Sequence, residues 1–134
     1  MKTGCFKWYT GGKGVAICIR PPKTWNGNIY SPLAPPLDTF IAIKSGKILV
    51  EEYTEKYTKK VLNNIDPYKI LDLFKDSVLL CWETPTFDSS KNIMNIGPHF
   101  CHRHILSKYI CDQTGIVIKE WRVGDDDIKN KKLF

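Results

Sequence analysis

The sequence predicts a small, three-layered α/β domain with a mostly parallel central sheet. Three observations predict it. Val15-Ala16-Ile17-Cys18-Ile19 and Ser77-Val78-Leu79-Leu80-Cys81-Trp82-Glu83 are continuous apolar runs, as in strands covered on both faces. Segments with helical spacing and good end signals alternate with those runs. A long proline-rich segment follows the first run, at the strand end where α/β folds carry ligands.

Taken in order, Phe6–Tyr9 reads as a short first strand. Gly11, Gly12 and Gly14 around Lys13 read as a turn, because the Lys-Ser/Thr ending of a phosphate-binding loop is missing. The Val15–Ile19 strand stops at Arg20-Pro21-Pro22. Residues 20–38 hold five prolines and Gly27, which predicts a long ordered loop. Asp38 is placed to cap a short helix carrying Phe40, Ile41 and Ile43 and ending at Gly46. A second helix is expected from Ile48 to Asn63, since Leu49, Tyr53, Tyr57 and Val61 recur every four residues. Its glutamates precede its lysines, in the sense the helix dipole favours. Asp66-Pro67 is a cap and first-position pair for a third helix burying Ile70, Leu71 and Phe74. After the Ser77–Glu83 strand, residues 84–98 read as a loop. A fourth helix over 100–113 closes at Gly115, and Ile116–Trp121 reads as a last strand. The polar residues 124–134 predict a frayed tail.

The chain has 134 residues, enough for one domain with one core. Its net charge of +6 favours anionic partners, but the lysines are scattered and no basic helix suited to a DNA groove is visible. The five cysteines are odd in number and lack the spacing of a disulfide framework, which predicts free thiols and a reducing, cytoplasmic compartment. The N-terminus leads into no long apolar run, and no run approaches the length of a membrane span. Neither a signal peptide nor a membrane association is expected.

Chemistry concentrates in Phe100-Cys101-His102-Arg103-His104, at the predicted start of the fourth helix. Unpaired N–H groups and the helix dipole there favour anions and a thiolate. Cys101 is a candidate nucleophile and His102 a candidate acid or base. Arg103 suits two-pronged recognition of a phosphate, with His104 beside it. Glu83, at a strand's carboxyl end, is a candidate base or ribose-hydroxyl acceptor. Arg20 ends the other apolar strand and is a second candidate phosphate ligand. Trp25, Tyr30 and Trp82 are candidates for stacking on a base. A bland reading stands beside each: buried structural cysteine, surface histidine, strand-end charge, aromatic packing. His99, Cys101, His102 and His104, with Cys81, contain zinc ligand types, but paired ligand clips are absent and adjacent residues on one helix diverge. No metal and no cofactor is therefore expected.

The segments Leu79-Leu80-Cys81-Trp82-Glu83 and Phe100-Cys101-His102-Arg103 resemble the Leu-Leu-Cys-x-Glu … Cys-His-Arg pattern of domain-of-unknown-function family 488. The front half is similar to one of its subgroups: Ile19-Arg20-Pro21-Pro22, then Trp25, Gly27, Tyr30 and Leu33-Ala34-Pro35, then Glu51 through Leu62 to Asp66-Pro67. The resemblance spans roughly residues 6–121. It implies a Rossmann-like fold and a site built from Arg20, Glu83, Cys101, His102 and Arg103. One departure is the 17-residue spacer between Glu83 and Cys101, longer than the family linker. Its insert, about Phe87 to Gly97, is a candidate lid over the pocket.

Three functions are compatible with this reading. The first is binding of a nucleotide-like phosphorylated small molecule, with hydrolase or glycosidase chemistry at Cys101 and Glu83. The second is capture of such a molecule without turnover. The richness in Lys, Ile and Asn fits an AT-rich genome, a phage or a low-GC bacterium, and so sequestration of a signal nucleotide. The third is nucleic-acid binding through basic charge and tryptophans. Oligomeric state is not legible.

Overall fold

A computed structural model describes residues 1–91, 93, 94 and 100–124. Five strands form one parallel sheet: β1 (Lys2–Cys5), β2 (Gly14–Ala16), β3 (Asn28–Ile29), β4 (Val78–Cys81) and β7 (Lys119–Glu120). Their order is β3-β2-β4-β1-β7, so β4 is central. A separate antiparallel pair joins β5 (Thr86–Phe87) to β6 (Ile93–Met94). The helices are α1 (Leu37–Lys44), α2 (Val50–Lys60), α3 (Pro67–Leu73) and α4 (His102–Thr114).

The α/β class and parallel sheet are those the sequence predicts. The connectivity has its own character. In doubly wound dinucleotide folds the first strand neighbours the second; here β4 lies between them. The chain leaves β1 in a tight turn, with the Trp8 and Tyr9 N–H groups donating to the Cys5 carbonyl. It returns across the sheet without a helix, and the Lys13 carbonyl accepts from Val78 N–H at the foot of β4.

This return shapes the two faces. One face presents Val15, Ile17 and Leu79 to Tyr53 and Tyr57 of α2, Ile70 and Phe74 at α3, and Ile105, Leu106 and Ile110 of α4. The opposite face presents Val78 and Leu80 to Trp121, Phe6, Trp8, Tyr9 and Trp25. Among the described residues, the third layer is thus aromatic side chains from loops and strand ends. Glycines make room for it: a Cβ on Gly14 would lie 2.8 Å from the Trp25 ring and 2.6 Å from Leu80. Leu79 and Leu80 are both fully buried, each on its own face, which is why β4 reads as a continuous apolar run.

Several expected elements differ. Phe6–Tyr9 is the turn after β1, not the first strand; that strand is Lys2–Cys5, too short and too polar to show an apolar pattern. The loop 20–38 contains the edge strand β3 and a 3-10 turn at Ser31–Leu33. Asp38 lies inside the first turn of α1, after Pro36 at the cap, and its carboxylate accepts from Thr39 N–H. Leu49 is the exposed cap of α2 rather than part of its buried stripe, while Tyr53 and Tyr57 are buried as expected. Asp66 caps α3, accepting from Tyr68 and Lys69 N–H groups at 3.0 and 3.4 Å. Gly115 closes α4 with φ +77°, the left-handed conformation glycine tolerates. The last strand is only Lys119–Glu120, and Ile116 and Val117 are exposed. The expected tail at 124–134 lies, beyond Gly124, outside the described residues.

Candidate functional site

β2 and β4 are neighbours, and both run on past their last paired residue at the carboxyl edge of the sheet. From β2 the chain continues through Ile17 and Cys18 to Arg20. From β4 it continues through Trp82 to Glu83. α4 begins at the same edge with Cys101 as its cap residue. The extended backbone at Cys101 (φ −148°, ψ 142°) lets its side chain converge with that of His102, which adjacent helical residues do not do. A pocket of about 960 Å³ opens here. Cys18, Cys81, Cys101 and His102 are in its lining, with Arg20, Trp82, Glu83 and Lys44. Its apolar wall comes from Phe40, Ile41 and Ile43 of α1, with Tyr53 and Phe100. Leu37 and Ile41 are exposed hydrophobics because they face this space rather than the core.

His102 organises the polar floor. Its Nε2 lies 2.8 Å from the Ile17 carbonyl, which can only accept, so Nε2 carries a proton. Nδ1 then faces the sulfurs of Cys81 at 3.7 Å and Cys101 at 3.8 Å. Burial opposes a thiolate at Cys101. Hydrogen bonding from Cys81, together with the hydrogen bond and charge of His102 and the charge of Arg103, outweighs it and holds Cys101 well below the ordinary thiol range. Burial likewise opposes charge on His102, and the Cys101 thiolate raises it. Cys81 is pushed well above the ordinary range, first by its hydrogen bonds to Cys101 and Cys18. It keeps its proton, and Glu83 Oε2, 3.5 Å from Cys81 Sγ, is an alternative acceptor for it. Lys44 Nζ meets Glu83 Oε1 at 3.2 Å, so α1 is pinned to the end of β4 across the pocket mouth.

Of the nine residues singled out in the sequence, Arg20, Trp82, Glu83, Cys101 and His102 line this one pocket. Trp82 holds the rim through an indole N–H bond to the Arg20 carbonyl at 2.7 Å. Trp25 packs on the Leu80 face with its N–H on the Asn28 carbonyl, and Tyr30 packs against Phe74. Arg103 and His104 turn to a different partner. Arg103 is fully buried and grips Glu120 with two bonds, Nε to Oε1 at 3.1 Å and Nη2 to Oε2 at 2.8 Å. Thr3 Oγ1 donates to Glu120 Oε1 at 2.7 Å, and His104 Nε2 lies 3.4 Å from the same oxygen. Arg103 therefore ties α4 to β7 and acts on the site through its charge.

Sequence reasoning missed Cys18 and Lys44 in the pocket and Glu120 as the partner of Arg103. Cys18 carried a signal, since it sits two residues before Arg20 at the same strand end. Glu120 carried none, because a glutamate in a short edge strand looks solvated. Within the insert at about Phe87 to Gly97, two of the described residues meet Arg122, which stacks on Phe87 at 4.6 Å and donates to the Lys91 carbonyl. The remainder of the candidate lid, and His99, lie outside the described residues.

The Glu120 cluster makes a pH prediction. Burial would raise this carboxyl, but bonds from His104 and Arg103 and their charge bring it down to about 2, from an ordinary 4.5. A depressed folded pKa means the stabilisation is complete above the unfolded value and lost as pH falls through the window from about 4.5 to about 2. The loss is on the order of 3 kcal/mol. Urea melts between pH 6 and pH 2.5 should show it, and Glu120→Gln should flatten that slope. An unchanged slope in the variant would contradict the assignment.

Fold and site together define a small α/β protein with a buried cysteine–histidine pair at the floor of a largely apolar pocket. No family model matches the chain, and neither a curated protein nor a solved structure matches it. Among the described residues, no helix is long and apolar enough to cross a membrane.

Proposed function

We propose that the protein binds a nucleotide-like, phosphorylated small molecule in this pocket and cleaves it by nucleophilic attack of Cys101, as a hydrolase or glycosidase. The observation that carries the reading is the convergence of the Cys101–His102 pair with a pocket large enough for a ligand of that size. Arg20 and Lys44, both exposed at the rim, supply positive charge for the phosphate, and Trp82 offers an indole face. Cys101, its proton held on His102 Nδ1, attacks the electrophilic carbon or phosphorus, and that proton passes from His102 to the leaving group as it departs. Water then attacks the cysteine adduct, Glu83 takes its proton, the product leaves, and the proton returns from Glu83 to the Cys101–His102 pair. The Leu-Leu-Cys-x-Glu … Cys-His-Arg pattern supports kinship with family 488.

A second reading is capture without turnover. It is favoured by the near-complete burial of Cys101, which is 2% exposed. Thermal-shift measurements across mononucleotides, dinucleotide cofactors, ADP-ribose forms and cyclic dinucleotides test the shared part of both. At a hundredfold excess over Kd, a true ligand should stabilise by about 2.7 kcal/mol. The double variant Arg20→Ala/Lys44→Ala should lose that shift. No shift with any phosphorylated compound would sink both readings.

A further inference from the structure

The floor of the pocket carries a second chemical possibility. Cys81 Sγ, Cys101 Sγ and one ring nitrogen of His102 all lie within 4.8 Å of one another, and all three residues are buried. Cys18 packs with both cysteines in the same cluster. The His102 ring is fixed from behind by its Nε2 bond to the Ile17 carbonyl. That bond leaves Nδ1 as the inward nitrogen, the arrangement that fixes the ring and raises the basicity of a metal-ligating histidine. We propose that Cys81, Cys101 and His102 Nδ1, with Cys18 alongside, form a binding site for one soft divalent cation of the zinc class.

The distances fit. With Zn–S about 2.3 Å and Zn–N about 2.0 Å, a tetrahedral sulfur–nitrogen edge is about 3.5 Å. The two sulfur–nitrogen separations are 3.7 and 3.8 Å. A sulfur–sulfur edge is about 3.8 Å, so the sulfurs need to approach by at most about 1 Å. Two or three thiolates with one imidazole select zinc, cadmium or cobalt over magnesium or calcium, which take oxygen ligands. The spacing argument against zinc assumed two helical neighbours; the cap position of Cys101 removes that objection. The ligands come from the end of β4 and the start of α4, held by parallel strands and a buried core rather than by a local loop.

Coordination would replace the thiol and Nδ1 protons, which pass to solvent, with bonds to the ion. It would also remove Cys101 as a nucleophile, so the ion would act as a reversible inhibitor. That consequence alone rests on the proposed catalytic reading; the binding itself does not.

The test uses the full chain, purified with a non-chelating phosphine reductant and titrated with Co²⁺. The expected result is one equivalent bound, with the visible bands of tetrahedral cobalt and sulfur-to-metal charge transfer. Cys81→Ser and Cys101→Ser should each weaken binding at least tenfold. Titration without a one-equivalent endpoint, octahedral bands, or unchanged binding in Cys101→Ser would overturn the proposal. If the variants fail to fold, X-ray absorption of the zinc-loaded wild type decides. At least two sulfurs with at least one nitrogen are expected, and fewer than two sulfurs would overturn it. A protein that binds the ion but turns over no nucleotide would leave this inference standing and remove the catalytic one.

Discussion

Replacing Arg103 with alanine is expected to lower the melting temperature by about 10–20 °C, the largest stability effect of any single polar side chain here. The guanidinium is fully buried and makes two bonds to a carboxylate that is itself covered. Removing one partner strands the other charge in the core, which costs about 3–5 kcal/mol. Total stability of a domain this size is about 5–15 kcal/mol, so the loss is a large share of it. Arg103→Lys should recover only part, because an ammonium cannot reproduce the two-pronged geometry. The double change Arg103→Met/Glu120→Leu should recover most, since it leaves no unpaired charge. Thermal melts of the four proteins check this. If Arg103→Ala melted like the wild type but lost ligand binding, Arg103 would instead be the phosphate ligand that its sequence context suggested.

The second large effect is on the proposed turnover. Cys101→Ser keeps the size of the side chain and the pocket while replacing a low-pKa thiol with a hydroxyl that stays protonated. Affinity for the nucleotide ligand should change by no more than a few-fold, while turnover should fall by at least about a thousandfold. His102→Gln should give a comparable loss, because it removes the acceptor for the thiol proton and the charge facing it. Trp82→Ala, in contrast, should weaken binding more than it slows turnover. Equal turnover by Cys101→Ser and wild type would mean that Cys101 is not the nucleophile.

What the sequence revealed and what it hid follow from length and partner distance. β4 was legible because four consecutive residues are buried on both faces. α3 was legible because Asp66-Pro67 is a local cap, and the end of α4 because Gly115 must be left-handed. β1 and β3 were not legible, since four and two residues with polar content carry no periodicity. The aromatic layer on the Leu80 face was hidden for another reason. Phe6, Trp8, Tyr9, Trp25 and Trp121 lie in turns and strand ends, and only the return of the chain across the sheet gathers them. Glu83, Cys101 and His102, which line one pocket, were legible as candidates because chemically able residues at strand and helix ends are a local signal. Cys18 and Lys44 join them through parallel pairing of β2 with β4 and docking of α1, and these are long-range events. Arg103 reads two ways in the sequence, because its residue type suits a phosphate as well as it suits Glu120. The partner seen in the structure comes from the register of β7 beside β1, which places Glu120 opposite Thr3.

The central claim is that the pocket both holds a phosphorylated, nucleotide-like molecule and breaks it at Cys101. The most direct test is to incubate the native protein with each stabilising nucleotide, denature it, and weigh the released small molecules by mass spectrometry. Products whose masses sum to substrate plus water, formed by wild type and not by Cys101→Ser, are the predicted result. Release of the intact ligand after prolonged incubation would contradict cleavage and leave a capture protein.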